Sequence, residues 1–323
     1  MTPTTLVTGS SGFAGSAIGR HLRLRCGHRV IGLSRTPPRP ESCDAFIAHD
    51  LSGPLPPDLP DVDFVVHCAA LSSPWAAPDA YERNSVRPVE NLVRFYANRP
   101  LRRLVFLSST AVHYRFADQT GLTEETPLPM RPINTYAAAK RTCEAILGRS
   151  GLPVTILRPR ALFGPGDTVV FPRILHAARR GLLPILTRSD GDKALSDLLY
   201  IDTLATYVAR VLDADVDGTF ILTNAEPVIT YDLLDTVFSA LGIPRPTRRV
   251  RVGAAMLLAR AYEWRSQLFD GWREPSVTRF GVASLAYSKT FDVSRALAAF
   301  GSPEVAMADG VSRFIDWQRR QPQ

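Results

Sequence analysis

Directly after the β-branched run Thr4–Thr8, the chain reads Gly9-Ser10-Ser11-Gly12-Phe13-Ala14-Gly15 and then continues as a helical stretch to about Leu24. Glycines at these three positions, between a strand and a helix, constrain the fold more than any other feature of the sequence. Gly9 permits a tight turn, Gly12 lets backbone approach a pyrophosphate, and Gly15 permits close helix–strand packing. Phosphates then sit at the positive end of the helix, on backbone donors of the Gly9, Ser11, Gly12 and Phe13 turn. Gly27-His28 reverses the chain, and Arg29–Leu33 is a second apolar strand. The unit has the length that a parallel crossover needs.

Further short apolar runs occur at Ala45–Ala48, Phe64–Cys68, Leu104–Leu107, Val154–Leu157 and Thr219–Leu222, with helical patterns such as Tyr81–Asn98 and Tyr136–Leu147 between them. Near-continuous apolar strands alternating with helices predict an α/β fold with a doubly wound parallel sheet covered on both faces. After Gly164-Pro165-Gly166 the pattern loosens, and from Pro227 onward helices dominate. The expected division is a dinucleotide-binding domain of residues 1–165 plus 196–225, and a smaller, mainly helical substrate lobe of 166–195 plus 226–323. The substrate is expected between them. Within the lobe, Val252–Leu268 is Ala/Leu-rich and broken by Arg260 and Arg265. It reads as a packed helix, with an apolar pocket lining or a membrane-surface contact as the alternatives.

The formal charge is +7, but the arginines are dispersed and no nucleic-acid motif accompanies them, so no nucleic-acid partner is expected. Lysine occurs only at Lys140, Lys193 and Lys289, which makes the position of Lys140 informative. The four cysteines lack metal-ligand or redox spacing, so reduced thiols and no metal are expected. No basic leader precedes the first strand, and no apolar run reaches the ~18 residues of a membrane span. The expectation is a cytoplasmic protein without an integral membrane segment, acting on a small molecule; a homodimer is compatible with it.

The second strand ends in Ser34-Arg35. A dinucleotide site for NAD usually carries a carboxylate here for the ribose hydroxyls. A hydroxyl and a guanidinium suit a 2′-phosphate instead, because arginine forks onto phosphate oxygens. NADP(H) is therefore the expected cofactor, with NAD(H) as the alternative.

Tyr136-Ala137-Ala138-Ala139-Lys140 lies in a helical pattern, and the i, i+4 spacing puts both side chains on one face. A phenol titrates near 10, too high for efficient proton transfer at neutrality. A neighbouring ammonium is expected to lower it, so that the pair exchanges a proton with a carbonyl or alcohol oxygen as hydride moves. Ser108-Ser109-Thr110 follows Leu104–Leu107 and brings hydroxyls to the carboxyl edge of the sheet, where open α/β folds bind ligands.

Together these residues resemble the extended short-chain dehydrogenase/reductases, the NAD-dependent epimerase/dehydratase superfamily, over nearly the whole chain. The resemblance implies a Rossmann domain and further cofactor contacts from Asp50 and Leu51 on the adenine side. It also implies contacts from Ala69 and Ala70 in His67-Cys68-Ala69-Ala70, from Asn84, and from Pro159 in Leu157-Arg158-Pro159. It implies Ser109, Tyr136 and Lys140 as the catalytic set, with Lys140 also binding the nicotinamide ribose. Tyr200-Ile201-Asp202 matches the segment that returns to the sheet.

Many members acting on nucleotide sugars carry Asn in the segment here read as Arg160-Ala161-Leu162-Phe163, and Arg where this chain has Ser196. The stretches Phe163-Gly164-Pro165-Gly166-Asp167, Glu274–Arg279 and Phe291–Ala296 are more similar to the 3β-hydroxysteroid dehydrogenase and β-keto acid reductase branch. Val112-His113-Tyr114 departs from the usual Val-Tyr-Gly. The resulting expectation is an NADP(H)-dependent oxidoreductase acting on a hydroxy/keto group of a hydrophobic, steroid-like or β-keto acyl substrate. The alternatives are a nucleotide-sugar epimerase, dehydratase or reductase, and a non-catalytic NADP-sensing regulatory protein.

Overall fold

A computed structural model describes residues 2–188, 191, 193–214 and 216–321. Residues 1, 189, 190, 192, 215, 322 and 323 of the expected domains lie outside the described residues. Seven strands, Thr4–Thr8 (β1), Arg29–Ser34 (β2), Ala45–Ala48 (β3), Phe64–His67 (β4), Arg103–Leu107 (β5), Val154–Pro159 (β6) and Gly218–Leu222 (β7), form one sheet. Its order is β7-β6-β5-β4-β1-β2-β3, and every neighbouring pair is parallel. All carboxyl ends therefore lie on one edge, and the order reverses beside β1.

Alternation along each strand sends side chains to opposite faces. Val7, Val66, Val105 and Leu107 meet Ile18 and Leu22 of the helix Phe13–Arg25 (α1) on one face. Leu6, Val65, Leu104 and Phe106 meet Val89 and Leu92 of the helix Arg87–Tyr96 (α2) on the other. There they also meet Ala139 and Cys143 of the helix Thr135–Leu147 (α3). The helix Ile201–Ala214 (α4) packs beside α1 and leads into β7 at the sheet edge. Burial on both faces is why the central strands read as unbroken apolar runs.

The expected helix over Tyr81–Asn98 is interrupted: Glu82–Val86 is a π-turn, with the Arg87 N–H bonded to Glu82 O. Pro88 has no N–H to offer the Asn84 carbonyl four residues earlier, so the ladder widens just ahead of it. The C-terminal part is mainly helical but not wholly so. Val228–Ile229, Leu195–Ser196, Lys289–Phe291 and Gln119–Leu122 form a small four-stranded sheet. Ser196 and Gln119–Leu122, both expected with the nucleotide-binding half, thus pair within the smaller sheet. The helix Val252–Leu268 (α5) packs on Leu186, Val282 and Ala286.

Candidate active site

The glycine turn is built as its sequence requires. Gly9 has φ +65, and its N–H bonds Leu33 O at 2.8 Å. A Cβ there would stand 2.8 Å from the Ala69 backbone. A Cβ on Gly15 would lie 2.3 Å from Gly9 O, so Gly15 clears the turn's own carbonyl rather than a strand. Gly12 caps α1 with no side-chain bond, and no acidic residue occupies the first turn. The N-terminal N–H groups of α1 are left to an anion, which fits a dinucleotide pyrophosphate.

The end of β2 differs in part from its reading. Ser34 is buried; its hydroxyl hydrogen-bonds Ser10 Oγ at 3.0 Å and donates to Thr36 O at 2.7 Å. Its polar capacity is turned inward, because Gly32 leaves room for the Ser10 side chain beneath it. Arg35 is exposed and donates to Asn84 Oδ1 at 3.3 Å. Thr36 donates to Ser11 Oγ at 3.2 Å, and the Arg39 guanidinium flanks Gly166 together with the Phe13 ring. Arg39 reaches the turn across the extended Pro37-Pro38 segment, which no local periodicity marks.

Asp50 accepts from the Ser52 N–H at 2.9 Å, a bond that holds its carboxyl below the usual range. Leu51 is buried, and its carbonyl accepts from Asn91 at 2.9 Å. Ala69 N donates to Thr8 Oγ1 at 3.3 Å, and Ala70 follows it along the carboxyl edge. Asn84 Nδ2 donates to Ala80 O at 2.8 Å, and Pro159 closes β6 opposite Leu222.

At the carboxyl end of β5, Ser109 caps a short 3-10 turn, Thr110–His113, and accepts from Ala111 N at 3.2 Å. Its hydroxyl also reaches the Tyr136 phenol by a hydrogen bond that pulls the phenol's pKa down. Burial outweighs that bond, so Tyr136 titrates above its ordinary value. Lys140 is buried; its Nζ donates to Leu107 O at 2.5 Å and lies 4.8 Å from the Phe106 ring centre. Burial lowers its pKa. The expected depression of the phenol by the ammonium is therefore corrected: Lys140 turns to the strand carbonyl, and the lowering influence on Tyr136 is Ser109. Tyr136 and Lys140 do share one face of α3, held at its start by Asn134, whose side chain accepts from Ala137 N at 2.8 Å.

A polar cluster absent from the sequence reading lies behind this pair. Arg158 bonds both carboxylate oxygens of Glu144 and also His113 Nε2 at 2.9 Å; Ser108 donates to Glu144 Oε1. Glu144 stands four residues after Lys140, a signal the spacing did carry. His113 and Tyr114, which replace the usual Val-Tyr-Gly continuation, are both buried.

Over the site, Tyr81 and Tyr136 rings lie 6.3 Å apart, and Tyr81 donates to Ser73 O at 2.5 Å. Ser73 donates to Glu274 Oε2 at 3.1 Å, and Arg173 bonds both oxygens of Glu274 at 3.0 Å. Trp75 donates through Nε1 to Ser266 Oγ at 3.1 Å and stands 5.5 Å from Trp272, whose φ is +64. The loop after β4 is thus tied to the smaller lobe above Tyr136.

A glycine-turn Rossmann sheet with hydroxyl and amine side chains at its carboxyl edge defines a nicotinamide-dependent oxidoreductase of the extended short-chain type. Residues 5–221 match the NAD dependent epimerase/dehydratase family, and the chain belongs to that family. It is 29% identical over 332 residues to 2-alkyl-3-oxoalkanoate reductase of Shewanella oneidensis, covering 95% of this chain and 84% of that protein. It is 28% identical over 266 residues to 3beta-hydroxysteroid-dehydrogenase/decarboxylase isoform 1 of Arabidopsis thaliana, covering 75% and 60%. The structure of MoeE5 with UDP-glucose and NAD superposes with a TM-score of 0.76 at 22% identity, covering 98% and 99%. An NAD(P) cofactor and a small-molecule substrate follow from the family. Among the described residues no helix is long and apolar enough to cross a membrane.

Proposed function

We propose that the protein is an NADP(H)-dependent reductase or dehydrogenase that interconverts a ketone and an alcohol on a hydrophobic substrate of the β-keto acyl or steroid-like class. The observation that carries this reading is the placement of Ser109 at the carboxyl end of β5 and of Tyr136 and Lys140 on one face of α3, with Lys140 bonded to the last carbonyl of that strand. Tyr136 gives a proton to the carbonyl oxygen during reduction, or takes one from the alcohol. Ser109 orients that oxygen by hydrogen bonding, and Lys140 would hold the nicotinamide ribose when the cofactor is bound. The cofactor, when bound, supplies or accepts the hydride. Gly9, Ser11, Gly12 and Phe13 would hold its pyrophosphate, and Asp50, Leu51, Ala69, Ala70, Asn84 and Pro159 would border the rest. Arg35 would take the 2′-phosphate, with Arg39 as its neighbour. The nucleotide-binding half would comprise residues 1–165 and 196–225 apart from Gln119–Leu122 and Ser196, which join the smaller sheet, and the substrate would lie in the cleft against the remainder.

The substrate class is favoured by similarity to the Shewanella reductase along most of both chains. The position where nucleotide-sugar enzymes often carry arginine is Ser196, buried and bonded to Arg160 at 2.8 Å. The test is steady-state oxidation of NADPH and of NADH with 2-alkyl-3-oxo acids, ketosteroids and UDP-sugars in parallel. Turnover of the oxo acids or ketosteroids with NADPH is expected. Turnover of UDP-sugars alone would overturn the proposal.

A further inference from the structure

The helix α5 presents two contrasting faces. Val252, Ala255, Ala259, Glu263 and Ser266 are buried against the smaller lobe. On the opposite face Leu257, Ala261, Trp264 and Leu268 recur at intervals of four, three and four residues, which aligns them on one stripe. Leu257 is 71% exposed, Trp264 55%, Leu268 73% and the following Phe269 80%. Large apolar side chains this exposed, gathered on one helix, mark a contact surface.

The charges around the stripe are mostly positive. Arg260 and Arg265 flank it, with the Arg260 guanidinium 4.8 Å from the Trp264 ring centre. Arg248, Arg249 and Arg251 are exposed at the helix's N-terminal approach. Glu263 is buried on Arg279, while the exposed Asp270 pairs with Arg265 at 3.2 Å and offsets its charge, so Arg260 and the arginines at the N-terminal approach carry the positive character. A leucine and tryptophan stripe bordered by arginine offers a lipid interface both an apolar face and cations for its headgroups. Arginine stems can lie along the apolar boundary while their heads meet lipid phosphates.

We infer that α5 docks the protein peripherally on an anionic lipid surface, with Leu257, Trp264, Leu268 and Phe269 in the acyl boundary and the flanking arginines at the headgroups. The inference does not rest on the substrate proposed above. It does place the lipid beside the site: Ser266, on the inner face of the same helix, holds Trp75 of the loop over Tyr136.

The test is sedimentation of the full chain with vesicles of phosphatidylcholine alone and with about one third phosphatidylglycerol, with tryptophan fluorescence read in parallel. Binding to the anionic vesicles with a blue shift is expected. Salt should weaken it, because exposed charges are screened. Replacing Leu257 and Leu268 together by serine should lower the partition by roughly tenfold or more. Arg260→Gln should lower it about fivefold on anionic vesicles only. These side chains are exposed, and an unchanged melting temperature would verify that the variants fold. Absence of vesicle binding by the wild-type chain, or stripe-dependent self-association in its place, would overturn the inference.

Discussion

The Arg158 guanidinium forks onto both carboxylate oxygens of Glu144, Nε to Oε1 at 3.0 Å and Nη2 to Oε2 at 2.6 Å, with both side chains about nine-tenths buried. Glu144 is on α3 with Tyr136 and Lys140; Arg158 is on β6. The ion pair therefore locks the helix carrying the proposed proton donor to the strand ends. A buried pair is not by itself a source of stability, but breaking one strands a charge. Glu144→Ala should cost about 3–5 kcal/mol, seen as a large fall in melting temperature. As a positioning residue, Glu144 should also affect kcat more than NADPH affinity in the milder Glu144→Gln variant. An Ala variant that melts with the wild type would refute the clamp.

His113 makes stability depend on pH through the same cluster. Arg158 can only donate, so His113 Nε2 accepts and the ring is neutral. Burial first, and then the Arg158 charge, push its pKa down to about 4. The unfolded chain takes up the proton near 6.5. The folded state resists it, so stability is complete above that value and is lost as pH falls from there toward about 4. His67, bonded to Thr8 and lowered by burial to about 3, adds to the same slope. His113→Gln keeps an acceptor for Arg158 without titrating. Its melting temperature should decline less steeply on acidification than that of the wild type, and parallel curves would exclude His113 as a source.

What the sequence made legible was local. The Gly9–Gly15 turn, the apolar strands and the Tyr136–Lys140 spacing are each written within a few residues, and the backbone periodicities translate them directly. What it hid depends on partners distant in sequence. Ser34 reads as a free hydroxyl until Ser10 is seen lying across Gly32. Lys140 reads as a neighbour of the phenol until the Leu107 carbonyl takes its ammonium. The π-turn at Asn84 was in principle readable from Pro88. The strand Gln119–Leu122 was not, because four residues including Gly121 join a sheet completed more than 160 positions later by Lys289–Phe291.

Proton transfer at Tyr136 gives a prediction of both magnitude and pH profile. Tyr136→Phe removes the transferable proton at nearly constant volume. It should lower kcat by at least ~100-fold while NADPH affinity stays near wild type. In the reductive direction the neutral phenol is the acid. Because burial raises its pKa, activity should hold across neutral pH and fall only where the phenol ionises, above the ordinary phenol value. Ser109→Ala removes the bond that opposes this shift, so it should cut turnover and move the alkaline limb upward. A Tyr136→Phe enzyme with near-normal turnover would eliminate the mechanism.

Cofactor choice should follow the arginines at the end of β2 rather than the serine beside them. The Ser34 hydroxyl already donates to Thr36 O, so Ser34→Ala is expected to disturb packing against Ser10 and leave the NADPH-to-NADH affinity ratio almost unchanged. Arg35 is exposed and bonded to Asn84 at 3.3 Å, a weak tether from which it can swing onto a phosphate. A charge-assisted bond of this kind contributes about 1.5–3 kcal/mol. Arg35→Ala should therefore weaken NADPH binding by roughly ten- to a hundredfold and leave NADH nearly unaltered. If Arg39 shares the phosphate, Arg39→Ala should show a smaller loss of the same sign, and the double variant should bind the two cofactors alike. Titration of intrinsic fluorescence with each nucleotide measures the ratio for the wild type and the four variants. Equal losses for both cofactors on removing Arg35, or a wild-type preference for NADH, would defeat the NADP(H) assignment while leaving the proton-transfer chemistry at Tyr136 standing.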